Sequence, residues 1–240
     1  MILSNLQGYR TMKKMKKVVS ALAICAVAPS AFASKHFHDT FVGVDVIQTS
    51  QEFKANYGKD QFKKTPLDYS IFAGTKFSHH FGVEVGYEGQ PKKKKDATWT
   101  GEGFLDGNTY TGTASSTTSV KGNHPYAGIF AECKHHRMKF QAMLGASVSQ
   151  VKVSSYNTVV AGSVPADFTN GATLTGSRTK IVPMVKLSAI HNFTDRFGVR
   201  LSVNYRNLSD MNIRMDQDSN QVVRPKDSFG IGLGVVYSFN

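Results

Sequence analysis

From residue 40 onward the chain alternates apolar with polar or small residues at a period of two, segment after segment, and this restricts it to antiparallel β-structure. Val42, Val44 and Val46 alternate with Gly43 and Asp45. The same rhythm runs through 67–77, 81–88, 139–148, 180–189, 197–206 and 228–239. Successive strand side chains point to opposite faces, so each segment carries one apolar and one polar face. The stretch 125–134 fits two ways, with Tyr126, Gly128 and Phe130 or with Ala127, Ile129 and Ala131 on the apolar face. The second set is favoured because it leaves Glu132 on the polar face. With this stretch the chain holds eight candidate strands, an even number.

The breaks between strands alternate in length. Short ones fall at His79-His80, 134–137 and 191–196; long polar ones fall at 50–66, 89–123, 153–177 and 207–226. Short turns on one side and long loops on the other are the pattern of an outer-membrane barrel. Both ends of the chain then lie on the short-turn side, which predicts periplasmic termini. A water-soluble barrel has the same period, so the faces must decide. One face carries Asp45, Lys76, Glu84, Glu88, Lys139, Lys180, Lys186, Arg200 and Arg206. The opposite face is bracketed by Phe77, Phe81, Phe197, Tyr237 and Phe239 near the short turns and by Tyr69, Tyr87 and Tyr205 near the long breaks. Aromatic girdles around an apolar band place lipid outside. The expected fold is an all-β, eight-stranded antiparallel transmembrane up-and-down β-barrel.

An eight-stranded lumen is just filled by side chains, and buried charges need partners. Asp45, Glu84, Glu88 and Glu132 are therefore expected to pair with Lys76, Lys139, Lys186, Arg200 and Arg206. Inward glycines, among them Gly43, Gly74, Gly82, Gly86 and Gly234, are expected to make room for the large charged groups.

Residues 1–33 read as an upstream extension and signal peptide, leaving 34–240 as the barrel. Lys13, Lys14, Lys16 and Lys17 precede an apolar run at 18–28, and Ala31-Phe32-Ala33 is a small-residue cleavage site. The formal charge of +12 falls to +7 without these residues, because five of the 29 Lys and Arg lie there and none of the 17 acids does. So modest an excess gives nucleic-acid binding no support. Of the two cysteines, Cys25 lies in the leader, and Cys133 alone forms no intramolecular disulfide.

Three strings resemble a known family. Phe81-Gly-Val-Glu-Val-Gly-Tyr-Glu88 resembles the third strand of OmpA-like and opacity-like eight-stranded outer-membrane barrels. Residues 193–206 are similar to their last turn and seventh strand, and 232–239 to their C-terminal assembly signal. The resemblance implies that Gly234, Tyr237 and Phe239 are read by the barrel-assembly machinery. One departure is that Asn240 follows the aromatic on which that signal usually ends. The peptidoglycan-binding module of full-length OmpA proteins is not expected after the barrel.

Lys92, Lys93, Lys94 and Lys95 fall in the second long break, followed by Trp99 and Phe104. In an outside loop they would face lipopolysaccharide phosphates and host surface polyanions, with a solvated charge run as the plainer account. Residues 109–120 read as a mobile Ser/Thr/Gly loop. His36, His38, His79, His80, His135, His136 and His191 map to the short-turn rim, where they read as polar turn residues and no metal or other cofactor is expected. The sequence points to a structural or adhesin-like barrel that makes no catalytic use of its loops. Its partners would be outer-membrane lipid, lipopolysaccharide and the assembly machinery. The alternatives are a lipid-modifying hydrolase with a site near His124, on the outer side, and a narrow porin.

Overall fold

The computed structural model describes residues 38–55, 62–64, 67–105, 108–163, 173–215 and 218–239. The leader reading for 1–33, with His36, lies outside them. Ten strands form: β1 (His38–Ala55), β2 (Phe62–Lys64), β3 (Leu67–Lys76), β4 (Phe81–Leu105), β5 (Asn108–His135), β6 (Met138–Ser163), β7 (Thr173–Asn192), β8 (Phe197–Arg206), β9 (Ile213–Met215) and β10 (Asp218–Phe239). All pairings among the described residues are antiparallel. Eight strands run in the ring order β1-β3-β4-β5-β6-β7-β8-β10, and β10 pairs back onto β1 from Phe239↔Thr40 to Val223↔Ala55. The chain is thus an eight-stranded up-and-down barrel without an open edge. Short β2 and β9 edge the long-hairpin end.

The ring leaves the short turns at one end and the long hairpins at the other. The β5–β6 turn is His136-Arg137, and His136 takes the left-handed backbone at φ 52°. Such positions suit glycine best but admit histidine more readily than branched residues.

The faces divide as lipid demands. Leu144 and Ile181 are each 70 % exposed, while Arg200 and Asp45 are at most 2 % exposed. Around 125–134 the structure turns Tyr126 and Phe130 inward and Ile129 outward. The inward glycines serve a purpose other than the one expected. Gly43, Gly74, Gly82 and Gly86 face Phe72, Phe41, Phe130 and Tyr126 across their rungs, and a Cβ at any of them would collide with the opposite ring. These glycines seat aromatic rings against bare backbone, as aromatic residues do opposite strand glycines. Of the five, only Gly234 lies against a charged group, Asp45.

Among the described residues, much of the long breaks is strand. β4 and β5 stay paired from Lys93↔Val120 to Leu105↔Asn108, and β6 follows β5 as far as Ser163↔Thr111. Residues 109–120 are strand, not a mobile loop. Beyond the lipid the outward face meets water instead of acyl chains, so hydrophobic alternation fades while the backbone ladder and the Thr- and Val-rich composition persist. Nor is 207–226 simply polar. Leu208, Met211, Ile213 and Met215 are at most 1 % exposed and pack with Phe53, Val120, Val151, Val153, Leu174, Val182 and Val223. This apolar plug closes the hairpin end of the lumen.

Leu144 lies at the middle of the outward row Phe140, Ala142, Leu144, Ala146, Val148. Leu144→Arg should destabilise the barrel by about 2–4 kcal/mol in reversible urea unfolding from lipid vesicles. A loss no larger than that of Leu144→Ala would mean that this face does not meet lipid.

Candidate functional site: a charged lumen and a cationic hairpin sheet

The lumen is arranged in layers. Nearest the turns, Lys76 donates to Glu132 Oε1 at 3.1 Å and also pairs with Asp39, while Gln141 Nε2 donates to Glu132 Oε2 at 2.9 Å. An apolar cluster of Phe41, Phe72, Tyr126, Phe130, Met143, Met184, Ile190 and Val236 packs among the charged groups, with Phe41 and Phe130 ring centroids 5.9 Å apart.

At mid-barrel the Arg200 guanidinium binds two carboxylates. Its Nε and Nη2 donate to Asp45 at 3.3 and 2.6 Å, and its Nη1 donates to Glu84 Oε2 at 2.9 Å. Glu84 Oε1 accepts from Lys186 at 3.1 Å and from the Tyr126 hydroxyl at 2.8 Å. Lys186 also donates to the Tyr126 oxygen at 3.0 Å. The Arg200 Cζ lies 3.3 Å from the Phe72 ring centroid, a stacked cation–π contact. Two acids and two bases make this cluster neutral. Toward the hairpins, Glu88 pairs with Arg206 and accepts from Asn204 at 3.0 Å, and Gln90 donates to Gln51 at 3.1 Å.

The structure therefore brings together Asp45, Glu84, Glu88, Glu132, Lys76, Lys186, Arg200 and Arg206 in three groups. Lys139 differs: it is half-buried at the turn end and acts on Asp39 through its field, not through a contact with a lumen acid. Its strand neighbour Lys134 does the same. Tyr126, Phe72 and Asn204 are part of these groups; alternation put them on the inward face, but no charge singled them out. Their signal was positional: each is an inward residue at the level of an ion pair.

Asp39 lies beyond the Thr40↔Phe239 rung, past the apolar band. Burial opposes its ionisation, but the hydrogen bond and charge of Lys76, with Lys139 and Lys134 behind, outweigh it and hold its carboxyl below the ordinary range.

The lysine run lies on β4, not in a loop. Lys93, Lys94 and Lys95 pair with Val120, Ser119 and Thr118, and Lys92 and Lys94 are exposed; the side chains of Lys93 and Lys95 fall outside the described residues. Tyr237 and Phe239 face outward at the turn end and meet edge-to-face at 5.0 Å, with Phe197 5.0 Å from Tyr237. His79, His80, His135, His136 and His191 gather at the turns, yet no group of three metal-binding side chains forms among the described residues. His124 is not at an outer rim: it is 4 % exposed, inside the lumen, on the rung of Glu88.

Residues 18–239 match the outer membrane protein beta-barrel domain. Among solved structures, Ail, the attachment invasion locus protein of Yersinia pestis, is similar at 14 % identity with a TM-score of 0.44, over 84 % of this chain and 98 % of that one. OprG of Pseudomonas aeruginosa is similar at 10 % identity with a TM-score of 0.49, over 85 % and 98 % of the two chains. Neisserial surface protein A is similar at 14 % identity with a TM-score of 0.43, over 84 % and 99 %. No curated protein matches the chain.

Two predictions follow from the lumen. Arg200→Gln leaves two buried carboxylates facing one lysine and should cost about 3–5 kcal/mol in urea unfolding. Adding Asp45→Asn restores neutrality and should recover part of that loss; strict additivity would show that the two groups are not coupled. At the rim, a depressed carboxyl stabilises the fold above its unfolded pKa, and that contribution fades as pH falls through the lowered folded value. Asp39→Asn should therefore lower stability at neutral pH and flatten the acid side of the stability–pH curve, and an unchanged curve would contradict the Lys76 pairing.

Proposed function

The chain belongs to the outer membrane protein beta-barrel domain family, and from that premise we propose that it is a non-catalytic, adhesin-like barrel displaying a paired hairpin sheet outside the cell. The observation that carries this reading is the continuation of β4, β5, β6 and β7 as one sheet past the apolar band. β4 and β5 alone stay paired over 13 residues of β4, from Lys93↔Val120 to Leu105↔Asn108, about 40 Å of strand. A surface held by backbone ladders loses little entropy on binding, which suits a docking platform better than a free loop. Both ends of the described chain lie at the turn end, so in this reading the termini are periplasmic and the hairpins external. Residues 1–33 act as the leader. Gly234, Tyr237 and Phe239 are read by the barrel-assembly machinery. Lys92–Lys95 turns its charge toward lipopolysaccharide and host surface polyanions.

The lipid-hydrolase alternative would need His124 near an acyl chain, and its burial beside Glu88 disfavours that. The porin alternative would need a continuous path, and the aromatic cluster, the ion pairs and the apolar plug lie across it. Replacing 94–119 by an Asn-Gly turn should abolish binding of intact cells to heparan-sulfate-bearing host cells while the heat-modifiable barrel persists. His124→Ala should leave binding unchanged. Full binding by the trimmed barrel, or loss of binding with His124→Ala, would overturn this reading.

A further inference from the structure

Cross-strand partners of like charge repel, and a sheet normally answers them with a neighbouring carboxylate. Lys134 and Lys139 oppose each other at the turn end, and both act on the Asp39 carboxylate. At the hairpin end, Lys54 opposes Arg224, and Glu52 on the same face pairs with neighbouring Lys226. A third case has no such answer. Lys121 on β5 opposes Lys152 on β6, and both are exposed on the outward face. On the other side of Lys121, β4 carries a bulge between the rungs Gln90↔Gly122 and Lys93↔Val120, so Pro91 and Lys92 together face Lys121. The two residues of such a bulge oppose one partner residue, which brings exposed Lys92 into the same row.

The other direct cross-strand neighbours of the row are uncharged. Ser177 opposes Lys152, and below the row Gly89, Asn123, Gln150 and Thr179 follow one another across four strands. Tyr87 donates to Asn123 Oδ1 at 2.8 Å, and Asn123 donates to Gln150 at 3.5 Å. The next carboxylate along β4, Asp96, accepts from Thr117 at 2.6 Å. Among the described residues none of the three lysines makes an ion pair.

The height of the row is as informative as its charge. On β6 the outward residues run Val148, Gln150, Lys152; on β5, Pro125, Asn123, Lys121; on β4, Tyr87, Gly89, Pro91-Lys92. In each strand the lysine stands two outward positions above the last apolar or aromatic residue. Four residues of tilted strand rise roughly 10 Å, and a lysine stem bends back along an apolar surface to the polar boundary. The row is thus at headgroup depth and faces lipid, not the lumen or the hairpin tips.

We propose that Lys92, Lys121 and Lys152 form a binding row for the phosphates of an outer-leaflet glycolipid of the lipid A type, whose acyl chains lie along Val148, Ile129, Leu144 and Ile181. The proposal rests on the outward orientation given above. It differs from polyanion capture by the hairpin, because a lipid headgroup offers phosphate and apolar chains together at this depth. The test uses the full barrel in phosphatidylcholine nanodiscs doped with bisphosphorylated or fully dephosphorylated lipid A, read by native mass spectrometry and by thermal shift. Wild type should retain and be stabilised by the bisphosphorylated form. The triple variant Lys92→Gln, Lys121→Gln, Lys152→Gln should lose affinity on the order of 100-fold, and the triple Arg variant should keep it. Equal retention by the Gln variant, or equal binding of dephosphorylated lipid A by wild type, would overturn the proposal. So would full displacement of lipid A by soluble heparin at physiological salt, which would make the row a soluble-polyanion site. The readout involves no host cell, so its failure is separable from failure of the adhesion reading, which hairpin trimming tests.

Discussion

Everything inside this barrel depends on the two carboxylates held by Arg200. Lipid outside the sheet takes one apolar face, and the inside interleaves charged groups with the rings and aliphatic side chains that pack around them. A guanidinium bidentate to Asp45 and single-bonded to Glu84 ties β8 to β1 and β4 across the lumen, although no two of these strands pair: β10 lies between β8 and β1, and β3 between β1 and β4. Its planar donor fork suits this geometry in a way a lysine ammonium does not. The face of the same group rests on Phe72, and Phe72 can lie there because Gly43 opposes it without a Cβ. A glycine on β1, an aromatic on β3 and an arginine on β8 are thus one packing unit. Breaking it would leave an unpaired charge buried in the lumen.

One sheet crosses two solvents, and this explains both what was legible in the sequence and what was not. Within the bilayer each strand must separate an apolar from a polar face, so residues such as Phe197, Val199, Leu201, Val203 and Tyr205 announce their strand and its orientation together. Eight strands, their faces and the short turns could be read in that way, as could the choice of Ile129 over Phe130 for the lipid side. Above the bilayer the constraint on side chains is lifted while that on the backbone is not. A strand such as 109–120, rich in Ser, Thr and Gly, continues by ladder hydrogen bonds alone and resembles a loop to any reading based on hydropathy.

The lumen was legible by charge and illegible by shape. Acids and bases on one face implied pairing, since no other arrangement offsets their desolvation. Which acid meets which base depends on register, and register depends on turns, bulges and shear that residue identity does not encode. Lys139 shows the limit: its parity is inward, yet its depth places it in the field of Asp39 at the margin. The apolar plug was hidden for the opposite reason. Leu208, Met211, Ile213 and Met215 are interleaved with polar residues over eight positions, too short a run to stand out within a long polar stretch.

The distribution of unanswered charge along the barrel then has a physical meaning. In the lumen, where a lone charge is most costly, the described acids and bases are brought into contact. At the turn end, Asp39 serves several lysines at once. On the outward face, at headgroup depth, a row of three lysines stands without a carboxylate in contact among the described residues. Water can solvate such a row, but then nothing requires the lysines to be aligned across three strands at one height. Facing repulsion of this kind is tolerable if the surroundings supply the counter-charge, and the surroundings at that depth are lipid headgroups. The hairpin sheet above it rises from the same strands β4, β5 and β6, so a headgroup bound there would brace the base of the platform against the membrane. Anchoring and display would then be two consequences of one continuous sheet, with the lipid boundary marking where side-chain chemistry changes from the first role to the second.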